Sequence, residues 1–131
     1  MMSTLCVMLS GKRGRLTVEA EFRRIGPDVS AAISGGGGPH IGAVALAEPN
    51  GGVPDISVVR ASEHRDDVPA ALAAGLLCGS LGCRAAVCCG IHLDDITPQE
   101  IQDAVELTEA LCRRACRLLQ TCEADDSGSP A

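Results

Sequence analysis

Apolar residues alternate at period two through the first half of the chain and then shift to helical spacing, and this order confines the fold more than any other feature. Leu5, Val7 and Leu9 alternate with Thr4, Cys6 and Met8, which predicts a first strand over 4–9. A turn at 10–14 leads to a second strand over 15–25. There Leu16, Val18, Ala20 and Phe22 share one face, and Thr17, Glu19, Glu21 and Arg23 share the other. Gly26-Pro27-Asp28 turns the chain into a third strand over 29–34, which the glycines 35–38 and Pro39 end. A fourth strand over 41–47 and a fifth over 56–60 flank a loop rich in Pro, Gly and Asn.

Helical spacing begins after Asp66-Asp67, with Asp67 as the expected cap and Gly79 or Gly82 as the stop. Val68, Ala71, Leu72, Gly75 and Leu76 line one face of this helix. The short apolar run 84–91 reads as a strand buried on both faces. Thr97-Pro98-Gln99-Glu100 is a helix start, with Thr as cap, Pro at the first position and Glu at the third. A stripe from Ile101 through Ala104, Thr108, Leu111, Ala115 and Leu119 to Cys122 follows, and Leu107 and Ala110 widen it. The order βββββαβα predicts a single α+β domain: a mostly antiparallel sheet of about six strands carrying two helices. The domain is placed at 1–122, with 123–131 as a disordered acidic tail.

Charge and composition exclude several function classes. Asp and Glu total 17 against 11 Lys and Arg, so the net charge of −6 repels nucleic-acid phosphates and anionic lipid. Phe22 is the sole aromatic ring of the Phe, Tyr and Trp class, which removes the platforms that base-stacking folds need. No apolar run approaches the ~20 residues that span a bilayer, and the opening stretch is too short for a secretory signal. The expectation is a cytoplasmic protein with no nucleic-acid or membrane partner. The eight cysteines contain no Cys-x-x-Cys pair and sit in apolar or periodic segments, where they read as small buried hydrophobes.

The strand order also predicts where the histidines meet. With simple hairpins between the early strands and a helical crossover to the sixth, His40, His64 and His92 all fall at one end of the sheet. Both Gly-rich turns and both helix starts share that end. Glycines at 35–38 let backbone N–H groups approach an anion, but the Gly-Lys-Ser/Thr of a P-loop is missing. Three imidazoles from separate segments also form the ligand set of some zinc sites, so His40, His64 and His92 are an alternative divalent-metal site. No serine elbow, Cys–His nucleophile pair or dinucleotide fingerprint occurs, and no catalytic residue is assigned.

Three segments carry a family resemblance. Gly37-Gly38-Pro39-His40-Ile41-Gly42-Ala43-Val44-Ala45, then His64-Arg65-Asp66-Asp67, then Cys89-Gly90-Ile91-His92-Leu93-Asp94-Asp95-Ile96-Thr97-Pro98-Gln99-Glu100-Ile101 resemble the LpdD-like proteins. These are small D components associated with gallate and hydroxybenzoate decarboxylases and regarded as prenylated-flavin chaperones. The similarity runs from about Thr17 to Leu119. It implies a fold like that of the dimeric proteasome assembly chaperones, and a non-enzymatic role: binding prenylated FMN and assisting its maturation or delivery to a UbiD-type decarboxylase. It implies Gly37, Gly38, His40, Ile41, Gly42, His64, Arg65 and His92 as cofactor-binding residues. Open sheet edges and the wide apolar arc of the last helix add the expectation of a homodimer. The alternatives are a cofactor-free assembly subunit of such a decarboxylase and a small metal-dependent enzyme built on the histidines.

Overall fold

The computed structural model describes residues 5–61 and 65–127, with side chains described as far as Gln120. The elements are β1 (Cys6–Arg13), β2 (Leu16–Ile25), β3 (Asp28–Gly36), β4 (Ala43–Glu48), β5 (Asp55–Arg60), α1 (Asp67–Leu81), β6 (Ala85–His92) and α2 (Pro98–Ser127). The predicted order βββββαβα is thus the order of the fold. Helix α2 runs past the boundary placed after Cys122, and residues 128–131 of the expected tail lie outside the described residues.

Two-residue turns set the register of the first three strands. Arg13 pairs with Leu16 around Gly14-Arg15, and Ile25 pairs with Asp28 around Gly26-Pro27. Gly14 and Gly26 each take a positive φ, the backbone sign that tight hairpins require and that glycine adopts without strain. With that register, Leu16, Val18, Ala20 and Phe22 all point to the core, as their alternation predicts.

The sheet order is β1-β2-β3-β6-β4-β5. All pairings are antiparallel except β3 with β6, where Gly36 lies beside His92. Sequence-adjacent β3 and β4 therefore do not pair, contrary to a simple hairpin reading. The chain from β5 crosses through α1 and returns as β6 between them. Residues 37–42 bridge the end of β6, a span of two inter-strand spacings, roughly 10 Å. The strand directions are nevertheless those that hairpins would give, so the predicted gathering of segments at one end survives.

Both helices lie on one face of the sheet. Helix α1 packs on β4, β5 and β6, α2 packs on β1 and β2, and the two helices pack on each other. The other face is open, which corrects three expectations. Strand β6 is buried only on its helix side (Ala85, Val87, Cys89), while Ala86 is exposed and Cys88 half-buried. Cys6, on edge strand β1, is exposed; Cys78, Cys83, Cys89, Cys112 and Cys116 are buried as expected. Leu107 sits in the core and adds nothing to an external apolar arc.

The face of α1 is also corrected. Its buried residues are Pro69, Ala70, Ala73, Ala74, Leu77 and Cys78, about 200° around the helix from the stripe that spacing suggested. Nearly every position of α1 is apolar or Gly, so periodicity holds no directional information there. Packing chooses instead: Ala70, Ala73 and Ala74 bring the helix close to a floor of Ala43, Ala45, Ala47 and Ala85. Gly82, with φ 65°, ends the helix by donating its N–H to Cys78.

Candidate functional site

At the end of the sheet where β3 and β6 finish, three glycines let three segments interlock. A Cβ on Gly90 would lie 1.7 Å from the carbonyl oxygen of His40, so the 37–42 link lies directly on β6. A Cβ on Gly42 would lie 1.9 Å from Asp66 Oδ2, and one on Gly38 would lie 3.3 Å from the His92 ring. Two backbone bonds hold the link in place, from Gly37 N–H to His92 O and from Gly42 N–H to Cys89 O, each 2.9 Å. Those two N–H groups are therefore committed to the fold.

Asp66 is the hub of this end. It is 6% exposed and stands at the N-cap of α1, one residue before the expected cap, yet makes no side-chain cap hydrogen bond. Its Oδ1 accepts from Ile91 N–H at 2.9 Å, and its Oδ2 lies 3.1 Å from His40 Nε2. His40 Nδ1 lies 2.9 Å from Gly38 O, an atom that only accepts, so Nδ1 carries a hydrogen. The Nε2–Asp66 contact then requires a second proton, either on the ring or on the carboxyl. His40 thus pins its own loop to α1 and β6. His92 meets it edge-on, with ring centroids 6.4 Å apart at 75°, and its Nε2 is 3.1 Å from Asp94 Oδ1.

Beside His92, a cleft of about 460 Å³ opens between the starting turns of α1 and α2. Val68 and Pro69 form its α1 wall, Ile91 its floor, and Ile96, Ile101, Ala104 and Val105 the opposite wall. Among the described residues, only Arg65, Asp66 and His92 bring polar side chains to it. Val68 is 51% and Ile101 53% exposed, unusual for aliphatic side chains on helices whose other faces are buried. Arg65 is exposed and makes no hydrogen bond or ion pair among the described residues.

The far wall is braced from the β1–β2 turn. Arg15 donates to both Glu100 oxygens (2.7 and 2.9 Å) and to the carbonyls of Asp94 and Asp95. Thr97 and Glu100 form the predicted capping box, with Glu100 N–H to Thr97 Oγ1 at 3.1 Å and Thr97 N–H to Glu100 Oε1 at 3.0 Å. The Arg15 guanidinium and the Thr97 amide hold the Glu100 carboxyl at about 2, well below its usual value.

Of the residues singled out in the sequence, Gly37, Gly38, His40, Gly42 and His92 come together, Arg65 stands at the cleft, and Ile41 is 65% exposed on the link. His64 lies outside the described residues. Among the described residues, no group of three His, Cys, Asp or Glu side chains is placed to hold a metal ion. The cleft itself was not legible as a site. Val68 and Ile101 read as parts of helical stripes, and only their shared place in the first turns of two helices starting at one end hinted otherwise.

A family model described as the prenylated flavin chaperone LpdD-like domain matches residues 12–120. The chain belongs to that family. No curated protein matches it. Among solved structures, it is similar to one described as a novel chaperone complex for yeast 20S proteasome assembly. The two share 13% sequence identity with a TM-score of 0.57, over 92% of this chain and 98% of that one. At that identity the likeness is one of fold, and it agrees with the expected proteasome-assembly-chaperone architecture.

Proposed function

We propose that this member of the LpdD-like family is a non-enzymatic cytoplasmic chaperone that binds prenylated FMN, assists its maturation or delivery, and passes it to a UbiD-type decarboxylase. The observation that carries the reading is the apolar cleft lined by His92 and by Arg65, which makes no hydrogen bond or ion pair among the described residues. An amphiphile with an anionic tail matches this arrangement: Arg65 offers a bidentate fork to a phosphate, and His92 offers an imidazole to ring heteroatoms. The cleft volume lies in the ordinary range for small-molecule sites, roughly 300–1,000 Å³. Phe22 is fully buried, so aliphatic walls and the His92 ring take the place of an aromatic stacking partner. Gly38, His40 and Gly42 serve this site by fixing the loop beside it, and Gly37, Ile41 and His64 complete the segments in which the family motif lies.

Titration of the purified chain with prenylated FMN, followed by absorbance with and without oxygen, tests the reading. Saturable binding in the micromolar range is expected. A folded chain that binds nothing below millimolar concentration in either condition overturns it. Delivery is read separately, as activation of an apo-decarboxylase that outpaces activation by free cofactor.

The homodimer is part of the same proposal, with its surface moved from α2 to the open sheet face. Val44, Leu46 and Val59 are exposed there beside the small side chains Ala32 and Ala86. Six strands at about 4.8 Å spacing and some eight residues of length present roughly 700 Å². That is close to the ~800 Å² per partner of a standard interface. Sedimentation equilibrium is expected to show a dimer of the 13.4 kDa chain and a monomer for Leu46→Glu. A wild-type monomer at micromolar concentration refutes it.

A further inference from the structure

We infer that the cleft between α1 and α2 is the element that distinguishes prenylated FMN from FMN, by taking up the isoprenoid-derived carbons while the phosphate stays at Arg65. The inference rests on the proposed flavin binding and adds the orientation of the ligand and the residues that select it.

The argument begins from what the cleft lacks. Its walls, Val68, Ile96, Ile101 and Val105, offer no hydrogen-bonding side chain, and among the described residues its polar groups are those of Arg65, Asp66 and His92. The pyrimidine edge of a flavin carries several donors and acceptors, and burying them against aliphatic walls leaves them unpaired. The isoprenoid-derived carbons have no such requirement. They gain from every contact with Val68 and Ile101, two side chains half exposed without a ligand.

Charge fixes the other end. Asp66 lines the cleft, but both its oxygens are occupied, by Ile91 N–H and by His40. Arg65, which makes no hydrogen bond or ion pair among the described residues, is the cation that lines the cleft and can take an anion. Plain FMN shares the phosphate and the dimethylbenzene edge but not the added apolar carbons, so it keeps the Arg65 contact and loses only the burial of those carbons in the cleft. Burial of about half of those five carbons predicts a preference on the order of 30-fold for the prenylated form.

The test is a comparison of two ligands, prenylated FMN and FMN, across three full-length proteins. Wild type is expected to prefer prenylated FMN by roughly 30-fold. V68Q/I101Q places polar side chains on half-exposed helix positions that contribute little to the core. It is expected to lose at least tenfold in affinity for prenylated FMN and severalfold less for FMN, so that the preference narrows. Arg65→Ala is expected to weaken both ligands by the same factor. Circular dichroism and melting temperature confirm that each variant is folded.

If wild type binds neither ligand, the flavin reading itself fails and the inference falls with it. If wild type binds both equally, or V68Q/I101Q retains the full preference, flavin binding stands and the cleft is not the selector. Equal loss of both ligands in V68Q/I101Q likewise overturns the inference, because the cleft would then serve the common part of the molecule.

Discussion

Gly90→Ala is the sharpest test of how the site is assembled. The added methyl would lie 1.7 Å from the oxygen and 2.4 Å from the carbon of the His40 carbonyl. These are backbone atoms with no rotamer to escape into. Ordinary contact begins near 3.4 Å, so the link must retreat by roughly 1.7 Å. A movement of that size breaks the 2.9 Å bond from Gly42 N–H to Cys89 O and draws His40 away from Asp66. A neutral hydrogen bond contributes about 1 kcal/mol and one to a charged group about 2 kcal/mol, so the expected loss is about 3 kcal/mol. For a domain of this size that lowers the melting temperature by about 10 °C. Urea unfolding at neutral pH gives the free energy directly, and a scanning melt gives the temperature. Gly37→Ala is the control, because nothing lies within 4 Å of its added methyl and its φ is not positive. It is expected to stay within about 0.5 kcal/mol of wild type. A Gly90→Ala protein that melts within about 2 °C of wild type would show that the link does not lie on β6 as described.

Three further outcomes follow from the same geometry. Thr108 is fully buried in α2, and its hydroxyl has no partner among the described residues, so Thr108→Val is expected to raise stability by about 1 kcal/mol in urea unfolding; a loss of that size would reveal an unrecognised partner. Glu100 sits at about 2 when folded against an ordinary 4.5, so its contribution is complete above pH 4.5 and lost as pH falls from 4.5 toward 2. Urea midpoints should accordingly fall less steeply over that window in Glu100→Gln, and parallel curves would contradict the Arg15 clamp. Burial pushes the Cys89 and Cys112 thiols up to about 12, whereas Cys6 is exposed. Peptide mapping after alkylation of the native protein at pH 8 should find Cys6 labelled and Cys89 and Cys112 intact, and early labelling of either buried thiol would refute their packing.

The parts of the fold that were legible in sequence are those where one face is apolar and the other is not. The alternation of Leu16, Val18, Ala20 and Phe22 with Thr17, Glu19, Glu21 and Arg23 determines a face without tertiary information. The Thr97–Glu100 capping box marks a helix start for a similarly local reason. Helix α1 fails the same test because almost every residue in it is apolar, and only contact with the alanine floor of the sheet selects a side. The place of β6 between β3 and β4 was hidden for another reason. Pairing order is a non-local property, and a six-residue link reads the same whether it turns back or bridges a strand. The meeting of His40 and His92 survived that ambiguity because it depends on strand direction, which both topologies share.

The three motifs that carry the family resemblance turn out to be three sides of one contact. Gly90 of the third makes room for the His40 carbonyl of the first, Gly42 of the first makes room for Asp66 of the second, and Gly38 faces the His92 ring of the third. The first and third motifs each supply both a missing side chain and a group that occupies a space, and the second supplies Asp66, so the three are built against one another. A match to all three therefore reports that the end of the sheet is built in this way. It leaves open which ligand the built end prefers, because the walls of the cleft at Val68 and Ile101 lie outside that interlock. Those two side chains are half exposed and bear little of the fold, so either can be replaced without disturbing the interlock. A related chain that keeps the three interlocking glycines, His40, Asp66 and His92 but carries polar residues at the positions of Val68 and Ile101 is expected to retain the fold and lose the preference for the prenylated flavin.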